Sequence, residues 1–209
     1  MEIVAVIDFE TTGLSPEQGD RATEIAAVIV QDGAVVDRYQ SLMNAVVRIP
    51  SFIEELTGIS DAMIRQAPPA AEVMRAVADF VGDRPLVAHN AAFDRKFWDA
   101  ELGRIRRQRL PGQEFACSMR VARRVFPQAP SHRLGALVDF ARLPVAGRYH
   151  RALADAEMAA SLLVHLDAEL RRRYRLREVS HALLREIQAA KKQQLDRCLA
   201  RYRGTSGGE

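Results

Sequence analysis

The chain has 209 residues, 48% of them apolar and 27% charged, the profile of a globular fold with one sizeable core. No apolar run approaches the roughly 20 residues that span a bilayer, the N-terminus shows no signal-peptide pattern, and Cys117 and Cys198 match no metal spacing; a reduced, cytoplasmic protein is the expectation. The net charge of +3 hides an asymmetry: residues 1–170 hold 19 basic and 23 acidic side chains, whereas residues 171–209 hold 11 and 4. The acidic body suits cations. The basic tail is either a solvated helix or a grip for an anionic partner.

In chain order, residues 3–9 (IVAVIDF) read as a buried strand, and 24–30 (EIAAVIV) and 34–39 (AVVDRY) as two more, joined by a tight turn at Asp32-Gly33. Residues 50–67 suggest short helical turns broken by Gly58 and Pro68. Residues 69–82 predict a helix with Val73, Val77, Phe80 and Val81 on one side. A short strand at 86–88 precedes a helix from about Ala91 to Leu102. An Arg-rich loop follows, then a strand around Phe115-Ala116-Cys117 and a helix through Val125. Residues 134–141 and 151–175 predict two helices. Residues 176–202 predict one more, with Leu176, Val179, Leu183, Ile187, Ala190, Gln194, Cys198 and Tyr202 along one stripe. We take 1–175 as the main domain, 176–203 as a basic helical appendage and the final GTSGGE stretch, within 204–209, as disordered. Strands followed by alternating strands and helices predict a mixed α/β sheet with helices packed on it.

Within the first strand stand two carboxylates that an apolar interior does not tolerate unpartnered. Asp8 and Glu10, two apart, project from the same strand face, where one cation can reach both. The Asp-x-Glu pattern recurs at 99/101, 155/157 and 167/169, but in helices, where positions i and i+2 do not face each other; those pairs read as solvated helix faces. Only the pair at 8/10 ends an apolar strand and runs into Thr11-Thr12-Gly13, a turn expected to offer backbone N–H groups to a ligand. Asp94, in HNAAFD, falls in the first turn of a helix. Asp155, in HRALAD, falls in the second turn of another, with His150 in the loop before it. Four carboxylates at the ends of elements repel one another, and hard divalent cations such as Mg²⁺ and Mn²⁺ relieve that repulsion.

DFETTG, HNAAFD and HRALAD, in that order, resemble the DnaQ-like exonucleases of the DEDDh type, and among them the proofreading epsilon subunit of bacterial DNA polymerase III, over about residues 3–170. The resemblance implies a ribonuclease-H-like fold: a mixed five-stranded sheet flanked by helices, here with an extra C-terminal helix. It implies two Mg²⁺ or Mn²⁺ ions held by Asp8, Glu10 and Asp155, with Asp94 helping directly or through water, and His150 as general base. Thr11 and Thr12 would hold the terminal nucleotide, Leu56, Thr57, Gly58 and Ile59 would border its sugar and base, and His89 and Asn90 would support the site, with Phe93 in the core. Where relatives often carry an Asp-Thr pair, this chain has Cys117-Ser118, a position that is not a metal ligand.

The activity implied is 3′–5′ exonucleolytic hydrolysis of nucleic acid, DNA first, releasing nucleoside 5′-monophosphates in proofreading or repair. Its substrate would be a single-stranded or frayed 3′ end, and a DNA polymerase subunit its possible partner. An RNA-trimming enzyme of the ribonuclease T or oligoribonuclease type keeps the same chemistry with another sugar. A non-catalytic nucleic-acid-binding module is the third reading. The basic tail is expected either to follow a nucleic-acid backbone or to dock its apolar stripe, on this chain's own body or on a partner helix.

Overall fold

A computed structural model describes residues 2–145, 150–191 and 194–203, the side chains of Arg201 and Arg203 excepted. The glycine-rich end read as disordered, and Lys192 of the basic tail, lie outside these residues. The strands are β1 (Val4–Thr11), β2 (Ala22–Gln31), β3 (Ala34–Leu42), β4 (Leu86–Ala88) and β5 (Phe115–Cys117). The helices are α1 (Ser51–Thr57), α2 (Asp61–Gln66), α3 (Ala70–Val81), α4 (Ala92–Arg104), α5 (Ser118–Val125), α6 (Leu134–Phe140), α7 (Ala152–Tyr174), α8 (His181–Ala189) and α9 (Leu195–Arg203). None of the described helices is long and apolar enough to cross a membrane.

The strands form one five-stranded mixed sheet in the order β3-β2-β1-β4-β5. β1 pairs antiparallel with β2 and parallel with β4, and β4 pairs parallel with β5. The β2–β3 hairpin turns at Asp32 and Gly33, both at positive φ (50° and 79°), the geometry that matches the right-handed twist of the strands. A central strand covered on both faces reads as a continuous apolar run, and β1 does. Its Val4 and Val6 face a core shared with α5, α7 and α8. Its Ala5, Ile7 and Phe9 face a second core, shared with α3 and α4. By that alternation Asp8 and Glu10 stand on the α7 side of the sheet.

The appendage departs from its expected form. Residues 176–202 make two helices, with Ala190 extended (φ −63°, ψ 149°) where the first ends. The first part of the predicted stripe docks on this chain's own body: Leu176, Val179, Leu183 and Ile187 belong to the α7-side core and Tyr202 packs against it, while α9 adds Leu195 and Leu199, which were not on the stripe. The edge strand β5 is closed by a side chain. Gln188 accepts a hydrogen bond from Cys117 N (2.6 Å) and donates to Phe115 O (3.4 Å), so these backbone groups of the edge are not left open. His181 Nε2 lies 2.9 Å from Leu86 O at the other end of α8.

Several basic residues are paired internally. Arg107 binds Asp79 and Arg109 binds Asp99, both at 2.6 Å, and Arg172 and Arg173 share Glu169 at 2.9 and 2.8 Å. Because α8 completes a core rather than only bearing charge, Ile187→Ala is expected to lower unfolding free energy by about 2–5 kcal/mol, read by chemical denaturation; a loss below about 0.5 kcal/mol would mean that α8 is not part of the cooperative unit.

Candidate active site

Three elements deliver the four predicted carboxylates to one end of the sheet. Asp8 and Glu10 come from the carboxyl end of β1. Asp94 comes from the first turn of α4 and accepts a hydrogen bond from Phe9 N at 3.3 Å, which ties that helix start to β1. Asp155 comes from the first turn of α7, and its Oδ2 accepts from His150 N at 3.1 Å. Among the described residues, Glu10, His150 and Asp155 each offer a ligand atom within 4.8 Å of the other two. Asp155 Oδ1 is buried with no hydrogen-bond partner among the described residues, an orphan acceptor of the kind that a cation satisfies. Carboxylate oxygen is the donor that a hard divalent ion prefers, which leaves the neighbouring imidazole free for proton transfer.

The electrostatics fit that reading. Burial, then repulsion from Asp155 and Glu24, lifts Glu10 from 4.5 to about 8. Burial lifts Asp94 from 3.8 to about 8. Asp8 is pushed well above the usual carboxylate range by burial and by Asp94, Asp155 and Glu10, and Asp155 is raised by burial, partly offset by its bond from His150 N. Such a cluster either holds protons or holds cations.

Thr11 and Thr12 are buried and use their hydroxyls internally. Thr11 donates to Gly13 O at 2.6 Å; Thr12 Oγ1 lies 3.4 Å from Asp20 and accepts from Arg21 N at 3.0 Å. The backbone N–H of Thr12 is also taken, by Arg21 O at 2.9 Å, so the turn does not offer the row of free donors expected of it. Its shape depends on Gly13: a Cβ there would meet the Asp20 carboxylate at 2.4 Å, and that carboxylate already binds Ser15 N at 2.9 Å.

In the 56–59 segment, Thr57 and Ile59 are buried while Leu56 and Gly58 face solvent. Gly58 (φ 72°) closes α1 in the left-handed region. His89 contacts protein through both ring nitrogens, Ser118 Oγ at 2.9 Å and His132 O at 3.0 Å; burial draws it down to about 4, so it is a neutral ring engaged within the protein. Asn90 is exposed at φ 69°, a conformation that Asn tolerates, just ahead of α4. Phe93 packs on Phe97 with ring centroids 5.0 Å apart, as expected of a core residue.

Two of the Asp-x-Glu pairs read as solvated helix faces are not. Glu101 is 1% exposed and takes a two-pronged ion pair from Arg21 (2.7 and 3.0 Å), and Asp167 is buried. The sequence reading also missed Glu24, Arg151 and Phe52. Glu24 is a fully buried carboxylate in β2, directly across from Glu10 in the strand register. Burial pushes its pKa up, but hydrogen bonds from Arg151, Ala152 N and Gln40 outweigh it and hold Glu24 below the usual glutamate value. The signal was available, since Glu24 interrupts an apolar strand as Asp8 does. Phe52 is 62% exposed and lies four residues before exposed Leu56, so the two share one face of α1.

Residues 5–163 match the exonuclease family RNase_T. The chain is 36% identical over 166 residues to the 3′-5′ exonuclease DinG of Bacillus subtilis, covering 79% of this chain and 18% of that one. It is 35% identical over 165 residues to the PolC-type DNA polymerase III of Bacillus cereus, covering 79% and 11%. Against the DNA polymerase III epsilon subunit of Aquifex aeolicus it is 32% identical over 165 residues, covering 79% and 80%. The chain thus spans less than a fifth of the DinG and PolC relatives. Among solved structures, Exonuclease X in complex with 5′ overhanging duplex DNA has a TM-score of 0.69 at 27% identity, covering 88% of this chain and 99% of that one. The nuclease domain of 3′hExo, a DEDDh family member, shares the fold with a TM-score of 0.67 at 21% identity, covering 79% and 91%.

Between the ordinary carboxylate range and about pH 8, the folded metal-free chain keeps protons on Glu10 and Asp94 that the unfolded chain releases near their unperturbed values of 4.5 and 3.8. The folded state then binds more protons, so stability falls as pH rises through that window. Thermal melting in a chelator is expected to drop from about pH 5 to about pH 8, and Mg²⁺ or Mn²⁺ to restore the loss. Asp155→Asn removes one repelling charge and is expected to raise the metal-free melting temperature at the upper pH. Melting insensitive to both pH and metal would show that these groups do not share one cation site.

Proposed function

The chain is a member of the exonuclease family RNase_T, and on that premise we propose that it hydrolyses the terminal phosphodiester bond at the 3′ end of DNA, releasing nucleoside 5′-monophosphates. The observation that carries the reading is the convergence of Glu10, His150 and Asp155, whose ligand atoms lie within 4.8 Å of one another, beside a buried Asp155 oxygen that no described residue satisfies. Asp8, Glu10 and Asp155 hold two Mg²⁺ or Mn²⁺ ions, with Asp94 contributing directly or through water. Divalent cations, when bound there, lower the pKa of an attacking water and offset charge on the leaving 3′ oxygen.

The protein's own groups do the rest. His150, the exposed member of the cluster, stands where solvent enters and accepts the proton of the attacking water. As a base it acts in its neutral form. Asp94 ties the α4 start to β1 and adds negative charge behind the ligands. The buried turn at Thr11, Thr12 and Gly13 shapes one wall of the terminal-nucleotide pocket, and Leu56 and Gly58 present a partly apolar surface for its sugar and base. Asn90, exposed just ahead of α4, adds a further polar contact for the substrate.

The kinship with DinG, PolC and the epsilon subunit favours DNA with a single-stranded or frayed 3′ end, and a cytoplasmic replication or repair setting in which a DNA polymerase subunit is a natural partner. A 5′-labelled single-stranded DNA and an RNA of the same sequence, incubated with Mg²⁺ or Mn²⁺, are expected to give a ladder shortening from the 3′ end, faster on DNA. Asp8→Ala and Asp155→Ala are each expected to lower the rate by about 10³-fold or more while the fold persists. A faster RNA ladder would move the substrate assignment to RNA. Near-normal rates in either variant would overturn the metal-ligand assignment.

A further inference from the structure

We propose that Glu24 and Arg151 form a positioning clasp that sets the geometry of the catalytic cluster from outside it; the inference rests on the reading of Glu10, His150 and Asp155 as the metal site. Arg151 lies between His150 and the first residue of α7, and its guanidinium reaches back to β2. Nη2 donates to Glu24 Oε1 at 2.8 Å and Nε to Oε2 at 3.1 Å, the two-pronged geometry that only arginine offers to a carboxylate. Glu24 Oε2 also accepts from Ala152 N at 3.1 Å. A strand residue 128 positions away therefore does the work of an N-cap for α7, whose own cap position, Arg151, makes no side-chain cap bond. Gln40 of β3 donates to the remaining face of Glu24 at 2.6 Å, so the carboxylate is held from β3, from the loop and from α7 at once.

The consequence for the site follows from the chain path. Glu24 pairs in register with Glu10 across β1 and β2, so one end of the clasp is fixed to the strand that carries a ligand. The other end holds the residue just after His150 and the first N–H of the helix that carries Asp155. His150 itself sits at φ 61°, a conformation that persists only where its surroundings hold it. Its N–H on Asp155 holds it from one side and Arg151 on Glu24 from the other. The clasp thus sets the distance between the β1 ligand and the α7 pair without touching substrate. Glu24 contributes charge as well as position, because a carboxylate with four donors stays ionised. The guanidinium of Arg151 in turn screens its charge from the ligands.

The test uses the full chain with Glu24→Gln, Arg151→Gln, Arg151→Lys and the Glu24→Gln/Arg151→Gln double variant. Mn²⁺ affinity is read without substrate by electron paramagnetic resonance, and kcat and KM on a single-stranded 3′ oligonucleotide. Each single glutamine variant is expected to weaken Mn²⁺ binding and lower kcat by about 10–100-fold, with KM within about threefold. The double variant is expected to lose no more than the worse single, because both remove the same contact. Arg151→Lys, which keeps charge but not the two-pronged geometry, is expected to recover part of the loss. If Glu24→Gln does not fold, the two Arg151 variants carry the test alone. Folded Arg151→Gln with Mn²⁺ affinity and kcat within about twofold of the parent overturns the clasp while leaving the exonuclease reading intact. A parent chain inert on DNA and RNA, whose Mn²⁺ affinity still falls in the variants, supports the clasp and overturns the exonuclease reading instead.

Discussion

Burial of carboxylates gathered at one end of the central strand, with their mutual repulsion added, is the constraint to which the surrounding structure answers. Asp8, Glu10, Asp94 and Asp155 are each raised, and burial leads every one of those shifts. The fold offsets part of this with the backbone. Asp94 and Asp155 occupy the first turns of α4 and α7, where unpaired N–H groups and the helix dipole favour negative charge. Two helix starts aimed at one cluster are a structural counter-charge, but a partial one, and the orphan oxygen of Asp155 marks what remains.

The same end of the sheet is where an open sheet with parallel strands leaves room for ligands. β1, β4 and β5 run parallel, so their carboxyl ends lie together and are followed by the 11–13 turn, by Asn90 and α4, and by Ser118 and α5. A row across the sheet, Glu10 to Glu24 to Leu42, shows how the parts are linked. Glu10 is the proposed ligand, Glu24 anchors the α7 start, and Leu42 packs on the small core of Ile49, Ile53, Ile59 and Ile64, which reaches into the 56–59 segment. The proposed cation site, base and nucleotide wall are therefore referred to one strand register, and a one-residue slip would turn all three to the wrong face.

Much of this was legible in the sequence because it concerned interrupted patterns. An apolar strand broken by Asp8 and Glu10 announces a site, and β5 and α5 fall where their residues were read. What escaped the reading was long-range pairing. Glu24 meets Arg151 across 127 positions and Arg21 meets Glu101 across 80, so neither carboxylate had a visible partner and both passed as ordinary. The break between α8 and α9 escaped for another reason: both helices lay their apolar side on the same core, so the stripe runs through a junction that carries no glycine or proline.

The basic tail shows how far composition can be from position. α7 rises about 1.5 Å per residue, which puts the arginines at 171–173 roughly 24 Å from Asp155, at the opposite end of the helix. There they meet Asp167 and Glu169, and the chain that follows folds back to close β5 with Gln188. Among the described residues, Arg95 and Arg120, in the first turns of α4 and α5, and Lys96 just after are exposed cations that follow the carboxyl ends of β4 and β5. The local field there, among the described residues, is set by the carboxylates and by the guanidinium of Arg151, which is tied down beside them. Without cations, Glu10 and Asp94 hold protons well above the ordinary carboxylate range, so burial and crowding are relieved either by protons or by metal. Exchanging the one for the other changes the charge of this end of the sheet without moving the backbone that frames it.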